Sequence, residues 1–239
     1  MKTKTAIFLP LLIIGALLFF ASSCKKEEDN HDSSENGEGF TCGEDFTDIR
    51  DGSVYATVQI GNRCWMAENL RYLPEVVGSG TSSQIEPHYY VYGYEGADVA
   101  AAKDDSKYNT YGVLYNWSAT QTACPDGWHV PSDDEWKQMT DFLGGAMLAG
   151  SKLKETGTTH WNSPNSDATN ETGFTALPGG LRYISNAFVD IGNYGYWWSA
   201  TENNTNSAWI RIMYYDIPHV FKDYQNKASG LSVRCVSND

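Results

Sequence analysis

Cysteine is the residue type with the clearest chemistry in this sequence. Four cysteines, Cys42, Cys64, Cys124 and Cys235, lie in the body of the chain, and this even number indicates disulfide bonds if the protein is exported. Zinc is disfavoured, because the sequence has no C-x-x-C pair or Cys/His cluster. We expect Cys42 to pair with Cys64, since they flank a predicted strand pair, and Cys124 to pair with Cys235. Four free thiols are the alternative.

The five histidines offer little for catalysis. They are His31, His88, His129, His160 and His219. They are scattered, without the arrangement of serine, cysteine or acid that suggests a hydrolytic triad. We expect His129 to fix the turn before a helix. The sequence therefore predicts no catalytic residue and no cofactor, and we expect that the protein is not an enzyme.

One loop carries oxygen atoms that could serve as metal ligands. Residues 202–206 read Glu-Asn-Asn-Thr-Asn, and calcium takes six to eight oxygen ligands. Such a loop is more often a polar turn, and the sequence strings of a lectin calcium site are missing. No metal site is therefore expected.

Aromatic residues supply the candidate ligand-binding residues. Trp197 and Trp198 are consecutive, so in a strand their side chains point to opposite faces, and one of them belongs to the core. We assign ligand binding to Trp198, as part of an exposed aromatic platform that stacks on a sugar ring or anchors a protein. The other assigned residues are Trp161, Tyr194, Tyr196 and Glu202. The alternative is that the aromatic residues all fill the core.

The clearest element that positions these residues is a helix in the middle of the chain. Ser132 is placed to cap it, and Glu135 is placed to complete a capping box. Residues 144–145 are both glycine and end it. Its buried face is expected to consist of Trp136, Met139, Thr140 and Leu143.

Short strands are predicted before and after this helix in the sequence. Residues 54–72 alternate apolar and polar positions on either side of Gly61 and Asn62, which predicts a hairpin. Residues 74–105 are predicted to form an irregular loop, and 147–154 a second short helix. Further strands are predicted at 181–192, 194–201, 207–215, 219–224 and 229–236. The predicted fold class is α+β, with a curled antiparallel sheet, one or two helices, and disulfide bonds joining its parts.

The N-terminus is typical of an export signal. Lys2 and Lys4 precede an apolar run over 6–20, which is short for a membrane span and suits a signal peptide. The residues that end at Cys24 resemble the lipobox of bacterial lipoproteins, which implies a lipid on Cys24 and membrane attachment. A plain signal peptide and a retained membrane anchor are the alternatives.

The segment after Cys24 is acidic and polar. Residues 25–39 predict a flexible tether, and their KKEEDN start is similar to the surface-export signal of one group of Gram-negative lipoproteins. The expected location is therefore the outer membrane, lipid-anchored and exposed at the cell surface. The chain carries a net charge of −13, and removal of the signal peptide takes away two lysines, which argues against a nucleic-acid partner.

Seven motifs in order resemble the Fibrobacter succinogenes major paralogous domain family over about residues 46–236. They are VQIGNRCWMAENLR, YNWSA, CPDGWHVPSDDEW, ALPGGLR, YGYWWSATE, AWIRI and SGLSVRCV. The resemblance implies a C-type-lectin-like fold, related to formylglycine-generating enzymes and to sugar-binding lectins. It implies little about activity, because fold does not settle function.

These observations predict three segments and one function. Residues 1–23 are a lipoprotein signal peptide, 24–39 the tether, and 40–239 the family domain. We expect a cell-surface binding or adhesion module without catalysis, whose partner is a glycan or a surface protein. The alternatives are a structural component of an outer-membrane complex and an enzyme related to formylglycine-generating enzymes. The sequence does not indicate an oligomeric state.

Overall fold

A computed structural model describes residues 2–3 and 40–238. Contacts divide the chain into two units, Met1–Gly39 and Phe40–Asp239, and the second is the folded body described below. Apart from residues 2–3, the predicted signal peptide lies outside the described residues, as do the predicted tether and Cys24. Within the described residues, no helix has both the length and the apolar character needed to cross a membrane.

Thirteen strands and five helices make up the regular structure of the described residues. The strands are β1 (Phe46–Asp48), β2 (Ser53–Tyr55), β3 (Thr57–Ile60), β4 (Arg63–Met66), β5 (Tyr89–Tyr90), β6 (Leu114–Tyr115), β7 (Trp128–His129), β8 (Leu181–Arg182), β9 (Phe188–Val189), β10 (Tyr194–Asn204), β11 (Ser207–Tyr214), β12 (Ile217–Asn226) and β13 (Val236–Ser237). The helices are α1 (Val99–Lys103), α2 (Ser106–Tyr111), α3 (Trp117–Thr120), α4 (Asp133–Phe142) and α5 (Ala146–Leu153).

Two sheets organise the body. One has the order β3-β4-β13-β7, so the last strand lies beside the predicted N-terminal hairpin. Val236 faces Trp65 on one side and His129 on the other. The second sheet is the antiparallel meander β10-β11-β12. The described residues therefore form the predicted α+β fold, with N- and C-terminal strands in contact.

The sheets are smaller than predicted. Instead of one curled sheet, five small sheets are present in the described part of the chain. The predicted strand over 229–236 forms regular strand pairing only at its last residue. Gly230, Leu231 and Ser232 instead form isolated bridges, each to a different segment of the chain. Before Val236, which belongs to β13, this segment crosses between sheets without forming a continuous strand in any of them.

The predicted loop over 74–105 is partly regular. It contains β5 and α1, and the side chain of Asp98 accepts hydrogen bonds from the backbone N–H groups of Ala100 and Ala101. Tyr89 and Tyr90 are buried. Helices α1 to α3 have only four to six residues, too short for the apolar periodicity by which longer helices are found.

Helix α4 has the predicted ends and face. Ser132 accepts a hydrogen bond from the Glu135 backbone, and the Glu135 carboxylate accepts one from the Ser132 backbone, which is the predicted capping box. Burial alone would raise the pKa of Glu135, but hydrogen bonds from Ser132 and His129 lower that pKa below its ordinary value. Its buried face contains Trp136, Met139 and Thr140, followed by the buried Leu143.

Helix α5 contains a glycine for a packing reason. Gly150 would weaken an isolated helix. A Cβ atom placed there would lie 2.6 Å from the backbone oxygen of His219 in β12. The glycine therefore lets α5 approach the sheet edge more closely than any other residue would.

Both predicted disulfide bonds are present. Cys42 is bonded to Cys64, and Cys124 to Cys235, with Cα atoms 5.7 and 5.9 Å apart. The second bond joins the residues before β7 to the residue that directly precedes β13, across 111 residues of sequence. The pairing expected from the sequence is confirmed.

Three buried cations fix loops to this framework. Lys154, Arg182 and Arg234 each have 0% exposed surface. Lys154 donates hydrogen bonds to the backbone oxygens of Ser166, Tyr214 and Ile217. The two arginines likewise donate mainly to backbone carbonyl groups from distant parts of the chain. Each cation thus joins a loop to segments that are distant in sequence, including the ends of strands.

Candidate binding surface

The prediction that Trp161 and Trp198 belong to an exposed aromatic platform is wrong. Trp198 is 0% exposed and Trp161 is 1% exposed, and each indole N–H donates to a backbone oxygen. The reason is that core residues cover both faces of the β10-β11-β12 sheet where these two consecutive tryptophans, Trp197 and Trp198, lie. Trp198 belongs to one core cluster and Trp197 to the other. The rule that one of two consecutive strand residues faces solvent therefore does not hold here.

Glu202 is separate from the predicted platform residues. It lies near the opposite end of β10 from Tyr194, about 25 Å away at the usual rise per strand residue. Its carboxylate pairs with Lys227 at 2.6 Å, and that ammonium group lies 4.4 Å from the Trp117 ring centroid. Glu202 therefore belongs to another local cluster.

The remaining two predicted residues lie in a row of rings that we call the aromatic strip. It consists of Tyr194, Tyr196, Tyr214 and Phe221, all partly exposed. Ring centroids are 6.0 Å apart for Tyr194 and Tyr196, and 4.6 Å apart for Tyr194 and Tyr214. Tyr214 and Phe221 are stacked, also at 4.6 Å. The strip crosses all three strands of the meander.

Strand register brings these rings together. Tyr194 pairs directly with Tyr214 across β10 and β11. Tyr196 pairs with Ile212, which in turn pairs with Phe221 on β12. All five residues therefore lie on one face of the sheet. Tyr214 and Phe221 were missed because finding them requires the register of both hairpins, although the alternating pattern of the strands was visible.

Polar groups border the aromatic strip. The Tyr196 hydroxyl donates a 2.8 Å hydrogen bond to Oδ2 of Asp190. Burial and this hydrogen bond raise the pKa of Tyr196 far above its ordinary value, and burial also raises the pKa of Tyr214. Both hydroxyls are therefore neutral at physiological pH. The strip combines apolar rings with hydrogen-bonding groups, as an amphipathic ligand requires.

The other candidate clusters have structural partners. In the loop at 202–206, the side-chain oxygen of Asn204 accepts hydrogen bonds from the backbone of Asn206 and Ser207, which makes it a polar turn. His129 contacts Glu135 at 2.9 Å and Asn238 at 2.6 Å, so it links the start of α4 to the C-terminus. Among the described residues, no group of three or more His, Cys, Asp or Glu side chains is arranged to hold a metal ion.

The sequence match agrees with the resemblance seen in the motifs. The family model of the Fibrobacter succinogenes major domain matches residues 58–237, about three quarters of the chain. The chain belongs to the Fibrobacter succinogenes major domain family. No curated protein and no solved structure matches it.

The two disulfide bonds differ in their position relative to the Fibrobacter succinogenes major domain, which spans residues 58–237. Cys124 and Cys235 lie inside the matched region, so their bond is internal to the domain. Cys42 precedes the match, and its bond to Cys64 ties the preceding segment to β4. The aromatic strip lies wholly inside the domain.

Proposed function

We propose that this protein is a non-catalytic binding or adhesion module at the cell surface, and that its aromatic strip binds a glycan. The supporting observation is the strip itself: four partly exposed rings on one sheet face, with neutral hydroxyl groups and the Asp190 carboxylate beside them. Sugar rings present apolar C–H faces and a rim of hydroxyl groups. Rings and hydrogen-bonding groups side by side suit both features.

A C-type-lectin-like fold is part of this proposal. Three observations support it: the antiparallel meander, the contact between N- and C-terminal strands, and the disulfide bond that joins the segment before α4 to the residue that precedes the last strand. The proposed glycan surface is a sheet face and uses no metal ion.

Mutation of the aromatic strip tests glycan binding. Tyr194→Ala should weaken binding to a glycan found on an array by about tenfold, since a central aromatic contact contributes more than 1 kcal/mol to binding. Tyr224→Ala is the matched control, because Tyr224 is 57% exposed and lies on the other face of the same sheet. Affinities are to be measured by calorimetry on folded variants. Equal loss in both variants, or no glycan bound by the parent protein, would refute the proposal.

Lipid attachment at Cys24 is proposed as the anchor, on the basis of the sequence before it. We expect the intact mass of the mature protein, purified from bacterial membranes, to equal residues 24–239 plus acyl groups. Cys24→Ser should release the protein from the membrane fraction. A mass that retains residues 1–23, or that carries no acyl group, would rule out the anchor while leaving the glycan proposal standing.

A structural role in an outer-membrane complex is the second candidate. It is favoured by exposed apolar side chains where α4 meets α5: Phe142 is 66% exposed, Met147 68% and Leu148 54%. Neighbouring exposed apolar residues indicate a protein contact. Co-purification of a membrane assembly that is lost on Met147→Glu, without any glycan signal, would favour this role.

A further inference from the structure

Three carboxylates lie around the aromatic strip. Asp190 accepts the hydrogen bond of the Tyr196 hydroxyl through Oδ2, which leaves its Oδ1 without a partner among the described residues. Asp216 lies in the turn between β11 and β12. Asp223 follows Phe221 by two residues in β12, so both side chains lie on the strip's face of the sheet. Asp190 is partly exposed, and Asp216 and Asp223 are exposed, so a ligand from solvent can reach all three.

The charges of these carboxylates act on the rings of the strip. Burial and the neighbouring Tyr194 raise the pKa of Tyr214 above its ordinary value. The negative charges of Asp223, Asp216 and Asp190 raise this pKa further, because they disfavour ionisation of a nearby phenol. The same charges act on any charged group that binds at the strip.

Basic side chains do not neutralise these carboxylates. The strands β10, β11 and β12 contain one arginine and one lysine, Arg211 and Lys222, and both pair with Asp133 on the other face of the sheet. The ion pairs of the described residues include none of the three carboxylates. The imidazole of His219, centred 5.4 Å from the Phe221 ring, carries a positive charge only when it is protonated.

Rings beside unpaired carboxylates select a cationic ligand. A protonated amine is attracted by the face of an aromatic ring and also by a carboxylate. An acidic glycan would be repelled, and a neutral glycan would gain nothing from the charges. The strip crosses three strands, about 10 Å at the usual spacing, and the carboxylates lie beside more than one of them. A chain of amino sugars can therefore reach more than one carboxylate.

We propose that the aromatic strip selects glycans whose sugars carry free, protonated amino groups. The sugar rings lie on the aromatic rings, and the ammonium groups pair with Asp190, Asp216 and Asp223. This selection rests on the glycan binding proposed above and specifies the charge of the glycan.

Chitotetraose, a short oligomer of glucosamine, and its fully N-acetylated form are the matched probes. They share one sugar backbone, but acetylation leaves the nitrogen atoms uncharged. Calorimetry in mildly acidic, low-salt buffer, where the free amino groups carry protons, should show about tenfold tighter binding of chitotetraose, because each exposed ion pair contributes up to a few-fold in affinity. Added salt should reduce this preference, since it screens exposed charges.

Asparagine variants of the protein separate charge from shape. Asp190→Asn keeps an acceptor for the Tyr196 hydroxyl, and asparagine tolerates the positive φ of 69° at this position. Asp190→Asn and Asp223→Asn should each weaken chitotetraose binding about three- to fivefold and leave binding of the N-acetylated form unchanged. Asp134→Asn is the matched control, because Asp134 is an exposed carboxylate of α4, which packs on the opposite face of the sheet. It should change neither affinity.

The outcomes distinguish the charge selection from glycan binding itself. Tighter binding of the N-acetylated form, or an undiminished preference for chitotetraose in both asparagine variants at the strip, would overturn the selection for amino sugars and leave glycan binding standing. The same holds if neither probe binds while a neutral or acidic glycan does. If the protein binds no glycan at all, both proposals are wrong.

Discussion

Replacement of both Cys124 and Cys235 by alanine will lower the free energy of unfolding by about 5 kcal/mol. The bond closes a segment of 111 residues. On the loop-entropy account, a bond of this span lowers the conformational entropy of the unfolded chain. Its loss restores that entropy and stabilises the unfolded state by the same amount. The total stability of a domain is only about 5–15 kcal/mol, so the variant should be partly unfolded at 37 °C. Urea denaturation followed by tryptophan fluorescence measures the change.

The other disulfide bond provides the matched control. Cys42 and Cys64 are only 22 residues apart, so their replacement by alanine should cost about 3 kcal/mol by the same account. The order of the two losses is the test. If loss of the short bond lowers the free energy of unfolding as much as loss of the long one, loop closure does not explain the stabilisation by the Cys124–Cys235 bond. Local packing around the buried Cys235 would then be the source.

Local signals in the sequence were sufficient for several elements. The capping box at Ser132 and Glu135 acts over three residues, and the turn at Gly61 and Asn62 is set by the residues within it. Such features need no knowledge of the rest of the fold. The cysteine pairing was also predictable: four cysteines allow three pairings, and the position of Cys42 and Cys64 around a predicted strand pair favoured the one that is present.

The candidate site depended on long-range structure, which the sequence does not display. Alternation along β10 shows that Trp197 and Trp198 face opposite ways, but it does not show that both faces are covered. The aromatic strip (Tyr194, Tyr196, Tyr214 and Phe221) depends on the register of two hairpins. Two of the five predicted ligand residues, Tyr194 and Tyr196, lie in it.

The buried cations were not predictable for a related reason. An acidic protein has many carboxylates, and a buried lysine or arginine is usually expected to pair with one of them. Lys154 instead donates to three carbonyl groups, at positions 166, 214 and 217. Nothing in the sequence near Lys154 indicates these acceptors. Lys154, Arg182 and Arg234 differ in this respect from the buried Arg211 and Lys227, which pair with Asp133 and Glu202.

Lys154→Met should therefore destabilise the protein by about 3 kcal/mol at pH 7. The methionine side chain fills similar space but removes the hydrogen bonds that Lys154 donates to three backbone oxygens, and a buried group left unpaired costs about 1–3 kcal/mol. Removal of a buried charge offsets part of this cost. Lys152→Met is the matched control, because Lys152 lies only two residues earlier, in the last turn of α5, and forms a partly exposed pair with Glu171, worth less than about 1 kcal/mol.

The pH dependence of the free energy of unfolding distinguishes the effect of the Lys154 charge from the effect of its packing. Burial lowers the pKa of Lys154 from 10.5 to about 8, and nearby Asp167 and Asp216 offset the shift only in part. Between these two values the unfolded chain holds a proton that the folded protein has lost, so stability rises with pH. The expected slope is about 1.4 kcal/mol per pH unit. The stability difference between the parent and Lys154→Met should thus be constant below pH 8 and should widen by about 2 kcal/mol from pH 8 to 9.5. Parallel curves for the two proteins over that range would show that Lys154 keeps its proton when buried.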